Sequence, residues 1–151
     1  MKIFIGADHG GYYLKEKIEA HLVKAGHDVE DVGDKVLDPN DDYPQFAFAA
    51  ATKVLGSEDE DPRAIVICKG GQGVAIAANR VRGIRAVVID NVEEAKMARI
   101  DNNSNVLCLP ARTLEEDEAK TFDIVDTWLK TPFSGAERHV RRLREIEEIY
   151  G

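Results

Sequence analysis

Short apolar runs alternate with amphipathic stretches five times along these 151 residues. The runs Lys2–Ala7, His27–Val32, Ala64–Cys68, Ile84–Ile89 and Asn105–Leu109 read as strands. The stretches between and after them carry helical spacing. Leu14, Ile18, Leu22 and Ala25 mark a helix over Tyr12–Ala25 that stops at Gly26. Pro44 suits the first turn of a helix over Gln45–Leu55. Val74–Asn79 and Val92–Ile100 are further helices. Leu114, Phe122, Val125 and Leu129 predict one more, over Leu114–Leu129. Ala136–Tyr150 is an extra, highly charged C-terminal helix, and Gly33–Asp42 and Ser57–Pro62 are polar loops. Strands that alternate with helices predict a parallel sheet with both faces covered, an α/β fold in one domain over residues 1–151.

That architecture limits where a site can be. In open parallel sheets, ligands sit outside the carboxyl ends of the strands. The rule nominates Asp8-His9-Gly10-Gly11 after the first strand, the loop after Cys68, and Arg112 after the last strand. The net charge of −8 argues against nucleic acid and anionic membrane as partners. No apolar run approaches the ~18–20 residues of a membrane span. The N-terminus reads as a strand and lacks a signal peptide's features. Cys68 and Cys108 form no CxxC motif and no disulfide framework, so the plain reading is two reduced thiols in a cytoplasmic protein.

The densest chemistry lies in Cys68-Lys-Gly-Gly-Gln-Gly73. It is not a phosphate-binding P-loop, and Ile76 stands where a dinucleotide fingerprint needs its third small residue. Two readings remain: a tight turn closing strand onto helix, or a nest of N–H groups beside a thiol that acts as base or nucleophile. A cysteine alone is more often a small buried hydrophobe. The place of Cys68 at a strand's carboxyl end shifts the balance, and Lys69 and the helix dipole favour its thiolate. Cys108, inside Val106-Leu-Cys-Leu109, reads as core. His9 sits at the expected site edge, whereas His21 and His27 read as surface residues. Arg138, Arg141 and Arg142 share a helix face and suit phosphate oxygens. The charge pattern alone favours a solvated helix paired with Glu145, Glu147 and Glu148. Asn102-Asn-Ser-Asn105 reads as a helix stop or as amide donors.

Taken together these segments resemble the type B ribose-5-phosphate isomerase family, which includes the galactose-6-phosphate isomerase subunits. The resemblance rests on Gly6-Ala-Asp-His-Gly-Gly11, Asp42-Tyr-Pro44, Ile67-Cys-Lys-Gly-Gly-Gln-Gly73 and Ile76-Ala-Ala-Asn79. It continues through Gly83-Ile-Arg-Ala86, Asn102 to Leu107, Arg112, Ile124-Val-Asp126 and Arg138-His-Val-Arg-Arg142. It implies a three-layer α/β/α sandwich with a five-stranded parallel sheet in the order 2-1-3-5-4. It also implies a homodimer or homotetramer with active sites at the subunit interface, and no metal or organic cofactor.

The implied reaction is aldose–ketose isomerisation of a sugar phosphate, with ribose 5-phosphate to ribulose 5-phosphate leading. Cys68 would be the base that moves a proton between C2 and C1 through a cis-enediolate. Gly70, Gly71, Gly73 and Asn102 would stabilise the enediolate oxygen. Asp8, His9 and Tyr43 would contact the sugar. Arg112, Arg138, His139 and Arg142 would hold the phosphate, some of them from a partner subunit. The chain departs from the family pattern twice. Lys69-Gly70 replaces the common Gly-Thr after the cysteine, and Asp101 stands where many members have the histidine that opens the sugar ring. Asp101 or His9 is then the ring-opening base. The departures keep open an isomerase of a tetrose 4-phosphate, allose 6-phosphate or galactose 6-phosphate, or a non-catalytic sugar-phosphate binding protein.

Overall fold

Alternate residues of the central strands point into two separate cores, one on each face of the sheet. In the computed structural model, which describes residues 1–150, the strands are β1 (Lys2–Ala7), β2 (Asp28–Asp31), β3 (Arg63–Cys68), β4 (Ala86–Val88) and β5 (Val106–Pro110). All pair in parallel, in the order β2-β1-β3-β5-β4. This is the expected three-layer sandwich and strand order. The helices are α1 (Tyr12–Lys24), α2 (Tyr43–Gly56), α3 (Gln72–Ala78), α4 (Val92–Asn102), α5 (Ala111–Leu114), α6 (Glu118–Lys130) and α7 (Glu137–Tyr150). No described helix is long and apolar enough to cross a membrane.

Side chains alternate across a strand with period two. Ile3, Ile5, Ile65, Ile67, Leu107 and Leu109 therefore meet α1, α4 and α6 through Leu14, Ile18, Ala95, Ile124 and Trp128. Phe4, Ala64, Val66, Cys68, Val106 and Cys108 meet α2 and α3 on the other face. The second layer is built on alanines (Ala47, Ala50, Ala51, Ala75, Ala77, Ala78), which let α2 and α3 approach closely. Cys108 lies wholly inside it, and burial pushes its thiol pKa upward.

Three sequence expectations change. The helix expected over Leu114–Leu129 is two: α5 ends at Leu114, and Asp117 caps α6 by accepting the N–H of Lys120. A capping aspartate competes with helix continuation, which breaks the run. The fourth strand covers only Ala86–Val88, because Ile84 belongs to a turn in which its N–H reaches Val81. His21 is not a free surface residue. Its ring stacks on Phe122 at 4.0 Å, and Nε2 lies 2.8 Å from Asp126.

Candidate active site

The carboxyl ends of β1, β3 and β5 meet at one edge of the sheet. Ala7 is in register with Ile67, and Cys68 with Pro110. Cys68 is the last residue of β3, and alternation turns its side chain toward the α2/α3 layer. It is buried, and Sγ accepts the N–H of Gly71 at 3.2 Å. Gly71 has φ +72, in the left-handed region. A β-carbon there would lie 3.1 Å from backbone atoms of Leu109 and Pro110. The turn therefore needs glycine on both conformational and steric grounds. First-turn N–H groups have no carbonyl partner within their own helix, and α3 begins at Gln72, directly after this turn. A thiol beside such donors can give up its proton and face an oxyanion held close by.

Asp8, His9 and Tyr43 join this edge. Asp8 is buried and accepts the Gly10 N–H at 3.0 Å. Burial raises its carboxyl pKa, opposed by His9. His9 is exposed, and one oxygen of Asp41 accepts both its backbone N–H at 2.9 Å and its ring Nδ1–H at 2.8 Å. That hydrogen bond raises the His9 pKa above the ordinary value. Tyr43 opens α2, and its ring covers the start of α3: a β-carbon at Gly73 would lie 2.5 Å from it. On the other side of the loop, Lys69, Gly70, Gln72, Val88, Asp90, Pro110, Arg112 and Thr113 line a cleft of about 270 Å³. The Arg112 N–H bonds the Lys69 carbonyl at 2.9 Å and pins the β5 loop to the β3 loop.

The remaining expected residues gather at the opposite end of the sheet. α4 runs back from the carboxyl edge and ends at Asn102. The next turn docks where β3 begins: the Ala64 N–H bonds the Asn105 carbonyl at 3.0 Å. Ala64 precedes Cys68 by four residues, or roughly 13 Å along a strand. The start of α7 sits beside this turn. His139 is buried, with Nδ1 at 2.6 Å from Ser134 Oγ and Nε2 at 3.5 Å from Asp101. Arg138 and Arg142 are exposed on α7. One chain thus brings together Asp8, His9, Tyr43, Cys68, Gly70, Gly71, Gly73 and Arg112. It holds Asp101, Asn102, Arg138, His139 and Arg142 apart from them.

A Ribose/Galactose Isomerase family model matches residues 3–146. The chain belongs to this family. Its relatives include the probable ribose-5-phosphate isomerase B of Mycoplasma genitalium, 44% identical over 95% of this chain and 92% of the relative. The ribose-5-phosphate isomerase B of Escherichia coli is 40% identical over 98% of this chain and 95% of its own. Among solved structures, the Clostridium thermocellum ribose-5-phosphate isomerase B superposes with a TM-score of 0.91 at 46% identity, covering 99% of this chain and 97% of that one. The Mycoplasma genitalium ribose-5-phosphate isomerase B with bound ribulose-5-phosphate gives 0.91 at 41% identity, covering 97% and 94%.

Within this family frame, sequence reasoning missed two residues that shape the site. Asp41 lay in a stretch read only as polar loop, and nothing in its spacing pairs it with His9, 32 positions away. Lys15 lay on the apolar side of α1. It is fully buried, with Nζ at 2.6 Å from Asp31 and 2.8 Å from the Asp34 carbonyl. Burial works against its charge, but Asp31 outweighs that and holds its pKa above the ordinary value. Lys15 thereby anchors the start of the loop that delivers Asp41. The one legible signal was a lysine following Leu14 and three residues before Ile18 in a helix that must face the core.

Proposed function

We propose that this chain interconverts ribose 5-phosphate and ribulose 5-phosphate. The carrying observation is the Cys68 thiol, buried at the carboxyl edge of the sheet and hydrogen-bonded to the glycine loop. The names of its near full-length relatives give the substrate. Cys68, as thiolate, takes the C2 proton of the open-chain aldose, and negative charge moves to the carbonyl oxygen at C1. The N–H groups of Gly70 and Gly73 bind that developing oxyanion, joined by that of Gly71 where it is shared with Cys68 Sγ. The O2 proton passes to O1, the Cys68 thiol, after exchange of its proton with solvent, protonates C1, and the ketose results. Asp8, His9 and Tyr43 orient the sugar, and Arg112 takes the phosphate.

The working enzyme in this reading is a homodimer in the cytoplasm. Asp101, Asn102, Arg138, His139 and Arg142 of one copy complete the site of the other, with Asp101 or His9 opening the sugar ring. Two observations support the homodimer. The expected site residues fall into two sets at opposite ends of one chain, and the α2/α3 layer and α7 expose apolar side chains (Phe48, Ile76, Val140, Ile146) suited to burial against a second copy. The test is turnover of ribose 5-phosphate in deuterated water. Ketose formation with deuterium uptake at C1 is expected. Absence of both, with turnover of erythrose 4-phosphate, allose 6-phosphate or galactose 6-phosphate instead, would move the substrate to one of those sugars.

A further inference from the structure

Lys69 is the residue that sets this loop apart, and its surroundings give it a task. Its stem lies directly over the β1 loop: a β-carbon at Gly10 would stand 2.7 Å from Lys69 Cγ. Its carbonyl is tied to the N–H of Arg112 at 2.9 Å. Lys69 thus bridges the β1 and β5 loops across the carboxyl edge of β3. Its side chain lines the same cleft as Arg112, whose guanidinium reaches Gly70: Nη1 lies 3.8 Å from where a β-carbon would be.

The charges in that cleft do not cancel internally. Among the described residues, neither the Lys69 ammonium nor the Arg112 guanidinium forms an ion pair or a side-chain hydrogen bond. One carboxylate, Asp90, lines the cleft, and it accepts from the neighbouring Asn91 amide at 3.1 Å. Two unpaired cations on loops locked by a backbone hydrogen bond match a dianion, with the arginine supplying a planar fork and the lysine a point charge. The carboxyl ends of parallel strands are where such ligands sit.

We propose that Lys69 is a phosphate-binding residue, acting with Arg112 on the phosphoryl group of the substrate from within the same chain as Cys68. This deepens the isomerase reading and rests on it for the identity of the sugar. The division of labour it implies is specific. Lys69 stabilises the bound phosphate equally in the ground and transition states, so it acts on KM and leaves kcat largely alone.

Two measurements test it on the intact protein. The first compares kcat and KM for ribose 5-phosphate in the wild type, Lys69→Met and Lys69→Arg. The second measures binding of inorganic phosphate to the same proteins by calorimetry, with no turnover required. Lys69→Met is expected to raise KM and the phosphate Kd by about tenfold each, with kcat within about twofold, and Lys69→Arg to recover most of the loss. Unchanged phosphate Kd in Lys69→Met overturns the proposal. So does a fall in kcat with unchanged phosphate binding, which would assign Lys69 to the Cys68 thiol instead. If the wild type fails to turn over ribose 5-phosphate, the substrate reading fails, while the phosphate titration still decides the role of Lys69.

Discussion

One carboxylate oxygen of Asp41 accepts two hydrogen bonds from His9, from the backbone N–H at 2.9 Å and from Nδ1–H at 2.8 Å. The pair fixes the position of the β1 loop, and the carboxylate, which can only accept, favours a hydrogen on Nδ1. Asp41→Asn removes the negative acceptor, so the raised pKa of His9 falls back toward about 6.5. A group with a raised folded pKa contributes stability fully below its unfolded value and loses it as pH rises through the folded one. The variant's stability deficit is therefore largest below about pH 6.5 and shrinks at higher pH. Titration of the His9 ring by NMR, with thermal melts across the pH range, measures both. An unmoved His9 titration would refute the coupling.

Cys68→Ala removes the proposed base and leaves the phosphate-binding side chains in place. The kcat for ribose 5-phosphate is expected to fall by at least ~10²–10⁴, the usual worth of a positioned general base. Deuterium exchange at the substrate carbon should stop, while inorganic phosphate binds as before. Residual exchange near the wild-type rate would take the proton transfer away from this thiol.

Gly73→Ala drives a methyl into the Tyr43 ring, where a β-carbon would stand at 2.5 Å. Overpacking of this kind costs about 1–3 kcal/mol. The ring must move, and it is proposed to contact the sugar, so KM should rise alongside the lower melting temperature. Tyr43→Ala in the same background frees the space and is expected to restore stability without restoring KM.

Lys15→Met takes the 2.6 Å partner from Asp31, whose side chain is only 2% exposed, and leaves it Lys35 Nζ at 3.4 Å and the Gly33 N–H at 2.8 Å. Breaking one side of a fully buried pair costs about 3–5 kcal/mol, and the Lys35 contact that remains places the loss toward the lower end of that range. Chemical denaturation should show that loss. Adding Asp31→Asn should recover part of it, since the buried carboxylate that lost its nearer cation is then neutral. A loss below about 1 kcal/mol, the range of exposed pairs, would mean that the site is wetter than its burial indicates.

Mixing Cys68→Ala chains with Arg138→Ala chains tests the shared site. Each variant alone is expected to be nearly inactive. After joint refolding, about a quarter of wild-type activity should return, since half the dimers are mixed and each keeps one site with both halves intact. Failure to complement, with each variant dimeric, would place Arg138 and Cys68 in one chain's site or remove Arg138 from it.

The βα alternation was readable because both of its periods are local. Apolar runs such as Arg63–Cys68 and the spacing of Leu14, Ile18 and Leu22 need no partner to be recognised, and the structure returns them within a residue or two. The capped break at Asp117 was less readable, since a lone acidic residue does not announce which helix it caps. The motif residues Asp8, His9, Cys68 and Arg112 were legible because the switch-edge rule and the family resemblance both point to strand ends. Asp41 and Lys15 were not, because each matters only through a partner far along the chain or through burial.

The sequence by itself determined the layer architecture, the family, and the chemistry available: one thiol at a strand end, a glycine turn, and arginines in the tail. Those follow from side-chain type and short-range spacing. Only the tertiary structure decided which of these groups share a site. A parallel sheet sends each helix back to the strand's beginning, so residues at the end of α4 and the start of α7 land opposite Cys68, one strand length away. It also decided that Lys15 is a buried anchor and that Lys69 and Arg112 stand in one cleft. Those facts depend on register and burial, which no window of sequence contains.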